Sequence, residues 1–309
     1  MKEEIKLLID SLNSVLVGKE EKVKLAVTTL LAEGHLLIED VPGVGKTTLA
    51  KGLARCIDAS FGRIQFTPDT LPSDVTGISI YNMSTGSFKY EKGPILNNIV
   101  LADEINRTSP KTQASLLEAM EEKQISVDGK MFVIEKPFMV IATQNPVEFL
   151  GTYNLPEAQL DRFMMRISLG YPDKEQEKKL AVMNIKNTAD IGKVITKEQL
   201  LEAVAEVKNV RVHDDIVAYV VNITDATRNN ENISLGASPR ATIALLSAAR
   251  AKAYIESRGF VTPDDIKELL LPVLSHRIML SVEAKMKKVT VDEVLRSCIR
   301  DINVPIVKA

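Results

Sequence analysis

From His35 to Ala50 the chain reads HLLIEDVPGVGKTTLA, an apolar run that breaks at two glycines and restarts as a helical pattern with Lys46, Thr47 and Thr48 in its first turn. Residues of these types at this spacing bind polyphosphate. Gly43 and Gly45 lack a Cβ, so the loop Pro42-Gly43-Val44-Gly45 can curl with the N–H groups of its last three residues inward against an anion. Lys46 can then reach the β and γ oxygens and the Thr47 hydroxyl can ligate Mg²⁺, while the following helix aims its positive N-terminal end at the same charge. The full pattern GxxxxGK[ST] asks for glycine at position 40, where this chain has Asp40. Gly45-Lys46-Thr47 is intact between a strand pattern and a helix pattern, which is the context the motif needs.

Binding becomes hydrolysis only with further groups. Residues 98–106, NIVLADEIN, form an apolar run that ends in two acids. Asp103 is placed to hold Mg²⁺ and its waters, and Glu104 to orient and deprotonate the attacking water. The C-terminal edge of a parallel sheet is where ligands bind, so both acids would face the cradle. A fourth apolar run ends in Thr143-Gln144-Asn145-Pro146, and Asn145 lies beside Glu104 if the two strands are neighbours. An amide there can hold the γ-phosphate or the lytic water. Arg162, in LPEAQLDRFMMRI, sits at a corner from which it reaches a neighbouring subunit's phosphate more easily than its own, with Arg166 as the other candidate. Arg240, in GASPRATIALL, opens a later helix and is placed to touch the γ-phosphate.

These groups need a scaffold of alternating strands and helices. Strand patterns occur at 35–39, 63–67, 99–103, 138–143 and 163–169, and helix patterns at about 19–33, 45–58, 109–122 and 156–161. Beyond Pro172 every pattern is helical, which predicts an α/β core over residues 1–172 and a helical domain over 173–309. Two segments interrupt the alternation. SIYNMSTGSFKY and QISVDGKMFVI both read as hairpins, the second turning at Asp128-Gly129. The stretches 187–193 and 228–234 read as loops.

Bulk properties narrow the function. The 39 basic and 41 acidic residues nearly cancel, giving no global attraction to nucleic acid or anionic membrane. Cys56 and Cys298 fit no metal spacing and read as reduced, which predicts a cytoplasmic protein. The N-terminus is an amphipathic helix and no run is long enough to span a membrane. His35, His213 and His276 share no metal-binding spacing.

In this order the elements resemble the AAA+ ATPases, with Walker A at 40–47, Walker B at 99–104, sensor 1 at Asn145, an arginine finger at Arg162 and sensor 2 at Arg240. The connecting text, RIQFTPDTLPSDVTG, LADEINRTSPKTQASLLEAMEEKQISVDG and IATQNPVEFLGTYNLPEAQLDRFMMRISLGYP, resembles the MoxR family almost phrase by phrase over residues 15–280. That resemblance implies a P-loop NTPase sheet of order 5-1-4-3-2 with a small all-α lid, and ATP and Mg²⁺ as cofactors. The two hairpins become a helix-2 insert and a pre-sensor-1 hairpin facing the pore of a homo-oligomeric ring, a hexamer. Val17-Gly18 falls near the adenine. In insert-bearing relatives the lid is repositioned, so Arg240 can serve a neighbour's site in place of its own. MoxR-type proteins act on protein clients, remodelling or activating complexes, often beside a partner with a von Willebrand factor A domain. A nucleic-acid-directed AAA+ motor is the competing reading, with Lys123, Lys130 and Lys136 around the hairpin in its favour and the neutral charge against it. A nucleotide-gated module without turnover conflicts with Glu104 and Asn145, and a GTPase reading fails for want of an NKxD motif.

Overall fold

The computed structural model describes residues 3–145, 153–185, 191–300 and 302–305. Pro146 and most of the loop expected at 187–193 lie outside the described residues. Helices α1 (Glu3–Val15) and α2 (Glu20–Leu31) precede β1 (Leu36–Glu39) and α3 (Lys46–Cys56). Next come β2 (Phe61–Gln65), the short α4 (Pro72–Thr76) and a hairpin of β3 (Gly77–Asn82) and β4 (Ser87–Lys92). β5 (Ile99–Asp103) and α5 (Pro110–Glu122) are followed by a second hairpin, β6 (Gln124–Val127) and β7 (Lys130–Val133). β8 (Met139–Gln144), α6 (Glu157–Leu160) and β9 (Met165–Ile167) complete the main sheet.

That sheet is parallel throughout, in the order β2-β5-β8-β1-β9. Counting its strands along the chain gives 5-1-4-3-2 from the far edge, the expected order. Strand residues alternate between two apolar faces. Ile38, Leu101, Ile141 and Ile167 pack against α1, α2 and α3, whereas Leu37, Val100 and Val140 pack against α5 and Phe163. Strand β2 starts at Phe61, earlier than its pattern suggested, because Gly62 belongs to it. A Cβ on Gly62 would lie 2.4 Å from the Pro94 carbonyl, so this glycine marks a close backbone approach inside the strand.

After β9 come α7 (Lys174–Ile185), α8 (Lys197–Lys208), α9 (Asp214–Arg228), β10 (Ile233–Leu235), α10 (Pro239–Ile255), α11 (Pro263–Leu274), β11 (Met279–Leu280), α12 (Val282–Met286) and α13 (Val291–Arg300). The expectation of helix alone is corrected here: β10 and β11 form a small antiparallel pair. Strands of three and two residues are too short to show alternation, so their pattern was unreadable. Helix α11 opens on a reciprocal cap, with Thr262 Oγ1 accepting from the Asp265 N–H and the Asp265 carboxylate accepting from the Thr262 N–H at 2.8 Å. Buried residues of α8, α9, α10 and α11 join the apolar cluster on the α1–α2 side of the sheet, so both halves share one core.

Both hairpins form as read. Asp128 and Gly129 take φ of 50° and 75°, the mirror-image turn that suits strand twist. Tyr90 of β4 stacks on Phe132 of β7 with centroids 4.2 Å apart, tying the hairpins together. Ile78, Ile80, Tyr81, Met83 and Phe88 on one hairpin, and Met131 and Val133 on the other, stay exposed.

His35 has a structural role that predicts a pH dependence. Its Nδ1 accepts from the Val140 N–H at 3.0 Å and its Nε2 faces the Met120 carbonyl at 3.2 Å, the pattern of a neutral ring. Burial pushes its pKa down to about 4, aided by Lys123 and opposed by the Met120 carbonyl. The unfolded chain binds this proton near pH 6.5 and the folded chain only near 4. Stability is therefore full above the first value and falls as pH drops through that window, by about 3 kcal/mol. Melting temperature measured between pH 7 and 4.5 should decline over this range. A His35→Leu variant should lose that share of the slope, and an identical slope in both would remove His35 as the cause.

Candidate active site

The cradle residues Pro42, Gly43, Gly45, Lys46, Thr47 and Thr48 form one wall of a cavity of about 430 Å³. The opposite wall comes from three adjacent strands at the sheet's C-terminal edge: Arg63 and Gln65 of β2, Asp103 at the end of β5 with Glu104 after it, and Asn145 after β8. Gly43 and Gly45 have φ of 87° and 104°, in the left-handed region that favours glycine. Gly45 caps α3 without a side-chain hydrogen bond, so the first turn of that helix presents uncapped N–H groups. Lys46 Nζ donates to the Asp40 carbonyl at 2.6 Å, an oxygen partner like the one a phosphate would offer. Burial pushes the Lys46 ammonium below its ordinary range, while Asp40, Asp103 and Glu104 oppose that.

Asp40 explains the departure from glycine at the start of the motif. Its Oδ2 accepts from Ser168 Oγ at 3.1 Å and the Gly170 N–H at 2.9 Å, and Oδ1 faces the Val41 N–H at 3.2 Å. A buried carboxylate thus ties the cradle's entry to the segment after β9, a role glycine could not fill.

The acidic pair is held by its neighbours. Glu104 sits at φ 59° and ψ 49°, a conformation costing a non-glycine residue about 1–3 kcal/mol. Thr143 Oγ1 accepts from the Glu104 N–H at 2.9 Å and donates to Asp103 Oδ1 at 2.7 Å, which fixes both acids to β8. Glu104 Oε2 accepts from Gln65 Nε2 at 3.0 Å and pairs with Arg107 at 3.2 Å. Asp103 Oδ2 pairs with Arg63 at 2.8 Å, so a cation already stands at that carboxylate. The condition set for Asn145 is met, since β5 and β8 are neighbours and the buried Asn145 lines the cavity with Glu104.

A second cavity of about 190 Å³ lies across the cradle, lined by Val17, Lys19, Gly43, Val44, Thr48 and Leu180 among others. Gly18 is beside it with φ 71°, and a Cβ there would strike the Gln176 side chain at 2.0 Å, so chain and helix α7 close together at this point.

Arg162 and Arg240 do not line the cavity of their own chain. They converge elsewhere, on opposite oxygens of Glu121 at the end of α5, at 3.0 and 2.5 Å. Beside them Asp161 takes Arg277 at 2.7 Å and Ser238 Oγ at 2.9 Å, and Arg277 also donates to the carbonyls of Phe163 and Met164. Arg166 is occupied by Glu39 at 3.0 Å. The sequence reading missed Arg63, Gln65, Arg107 and Glu121. The only sequence signal for the first two was polar residues at alternate positions in a strand flanked by apolar ones.

The chain matches the family described as ATPase family associated with various cellular activities (AAA) over residues 35–165, and the AAA lid domain over residues 225–298. It is 50% identical to the YeaC protein of Bacillus subtilis, covering 96% of this chain and 94% of that one. It is 38% identical to chaperone MoxR1 of Mycobacterium tuberculosis, over 96% of this chain and 81% of that one. A crystal structure of a protein from Cytophaga hutchinsonii superposes with a TM-score of 0.91 at 40% identity, covering 98% of this chain and 95% of that one. Identity of this extent across both halves, joined to the cradle, the acidic strand tip and the sheet order, places the chain in the MoxR family of AAA+ ATPases.

Proposed function

We propose that this chain hydrolyses ATP with Mg²⁺ and couples the cycle to remodelling or activation of protein complexes. The observation that carries the reading is the single cavity in which a glycine cradle faces Asp103, Glu104 and Asn145. Gly43, Val44 and Gly45 present backbone N–H groups in the turn that Pro42 opens, Lys46 and Thr48 bind phosphate oxygens, and Val17-Gly18 border the adenine. Thr47 and Asp103 hold magnesium, which supplies charge neutralisation at the phosphates. Glu104 takes the proton from the attacking water and Asn145 orients it. Arg162 and Arg240 complete the pocket of a neighbour in a homo-oligomeric ring, a hexamer.

Residues 1–172 act as the core and 173–309 as the lid. The exposed apolar side chains of the joined hairpins meet the protein client, and a protein with a von Willebrand factor A domain serves as partner. Support for a chaperone role comes from the relative named chaperone MoxR1. Against the nucleic-acid motor stands the pairing of Lys136 with Glu33, which removes one of the three hairpin lysines as a phosphate contact. Among the described residues no helix is long and apolar enough to cross a membrane. Calorimetry with ATP and ADP in magnesium should give saturable heat, and folded protein giving none would defeat the reading. Tight DNA binding that weakens steeply with salt would favour the motor instead.

A further inference from the structure

Arg63 and Gln65 line the cavity without a role in the proposed cycle, and Arg63 is the charged one of the two. It stands on β2 opposite Leu101, two positions before Gln65, which lies opposite Asp103. Its guanidinium therefore runs along the strand toward the sheet's C-terminal edge. There Nη2 meets Asp103 Oδ2 at 2.8 Å and Gln65 Oε1 at 2.7 Å. The other Asp103 oxygen already accepts from Thr143 Oγ1 at 2.7 Å. Both oxygens of this carboxylate are thus engaged, one by a hydroxyl that also fixes Glu104 and one by a partly exposed cation. The Arg63 side chain is 47% exposed and that of Asp103 is 16% exposed, so the cation can leave more easily than the acid.

We propose that Arg63 is a displaceable counter-ion of Asp103, which it holds before nucleotide binds and surrenders to the divalent cation arriving with nucleotide. The proposal rests on the reading of Asp103 as the metal-holding acid. The guanidinium takes up one lone pair of Oδ2 and its positive charge repels a divalent ion at the same oxygen, so the two cations compete. Thr143 keeps its hydroxyl bond to the other oxygen through the exchange, which leaves the acid aimed at the cavity. Arg63 is a positioning residue in this scheme: it acts on metal entry through Asp103. Partly exposed ion pairs are weak, so competition should raise the magnesium requirement by about two- to fivefold. The same guanidinium adds positive charge to the cavity and should strengthen binding of nucleotide in the absence of metal.

These two effects have opposite signs, which makes them separable from a loss of structure. Binding of a fluorescent ADP (MANT-ADP) is measured in EDTA, and then at rising Mg²⁺, for the wild type, Arg63→Ala, Arg63→Gln and Asp103→Asn. In Arg63→Ala the metal-free affinity should fall, while the Mg²⁺ concentration giving half of the metal-dependent change should drop by about two- to fivefold. Arg63→Gln, which keeps a polar group for Gln65, should match it if the alanine variant melts early. Asp103→Asn should abolish the metal response. An unchanged or raised Mg²⁺ requirement in both Arg63 variants overturns the proposal, since a residue that merely supports Asp103 would make metal bind worse when removed. Failure of the wild type to bind MANT-ADP at any Mg²⁺ concentration would instead overturn the ATPase reading itself.

Discussion

Glu104→Gln is expected to keep nucleotide binding and to slow hydrolysis by about 10²- to 10⁴-fold, the usual contribution of a general base. The substitution is close to isosteric and the site tolerates it. Gln65 donates to Glu104 Oε2, and an amide oxygen in the same place still accepts that bond. The backbone strain at φ 59° is met by the Thr143 hydroxyl on the N–H, which the change does not touch. What disappears is the basic carboxylate and its pair with Arg107. Single-turnover hydrolysis measured with enzyme in excess over ATP isolates the chemical step, and calorimetry on the same sample reports binding. Turnover near the wild-type rate with intact binding would remove Glu104 as the base. Loss of both together would show instead that the carboxylate supports the pocket's shape.

The cradle and the sheet were readable in the sequence because both are written locally. Gly45-Lys46-Thr47 fixes a turn over three residues, and the central strands β1, β5 and β8 are near-continuous apolar runs that need no partner to be recognised. The tips of β5 and β8 were legible for the same reason: Asp103-Glu104 and Asn145 terminate such runs. What stayed hidden depends on contacts between distant segments. Arg63 and Gln65 become pocket residues only through the register that sets Gln65 opposite Asp103. Asp40 looked like a flaw in the motif until the segment after β9, some 130 residues on, came round to its carboxylate. Glu121 reads as an ordinary helix-surface acid, and nothing local marks it as the meeting point of Arg162 and Arg240.

That meeting point sharpens the largest effect expected at a subunit boundary. Arg162→Ala should slow hydrolysis by about 10³- to 10⁵-fold, the range found for arginines that stabilise a transferring phosphoryl group. Since Arg162 does not line its own cavity, the loss should be repaired by a neighbour. Mixing Arg162→Ala with Lys46→Ala, each inactive alone, should restore a fraction of wild-type turnover, because the first supplies an intact cradle and the second an intact arginine. Mass measurement of the mixed rings must accompany the assay, and mixed rings without activity would count against action in trans. Glu121 adds a finer discrimination for Arg240. Two arginines on one carboxylate travel together, so if both serve the neighbour, each donor subunit must carry both. Mixing Arg162→Ala with Arg240→Ala should then give no rescue, since every donor face lacks one of the pair. Rescue in that mixture would mean that Arg240 leaves Glu121 and swings to its own subunit's phosphate, with the lid closing over the cradle that precedes it in the chain.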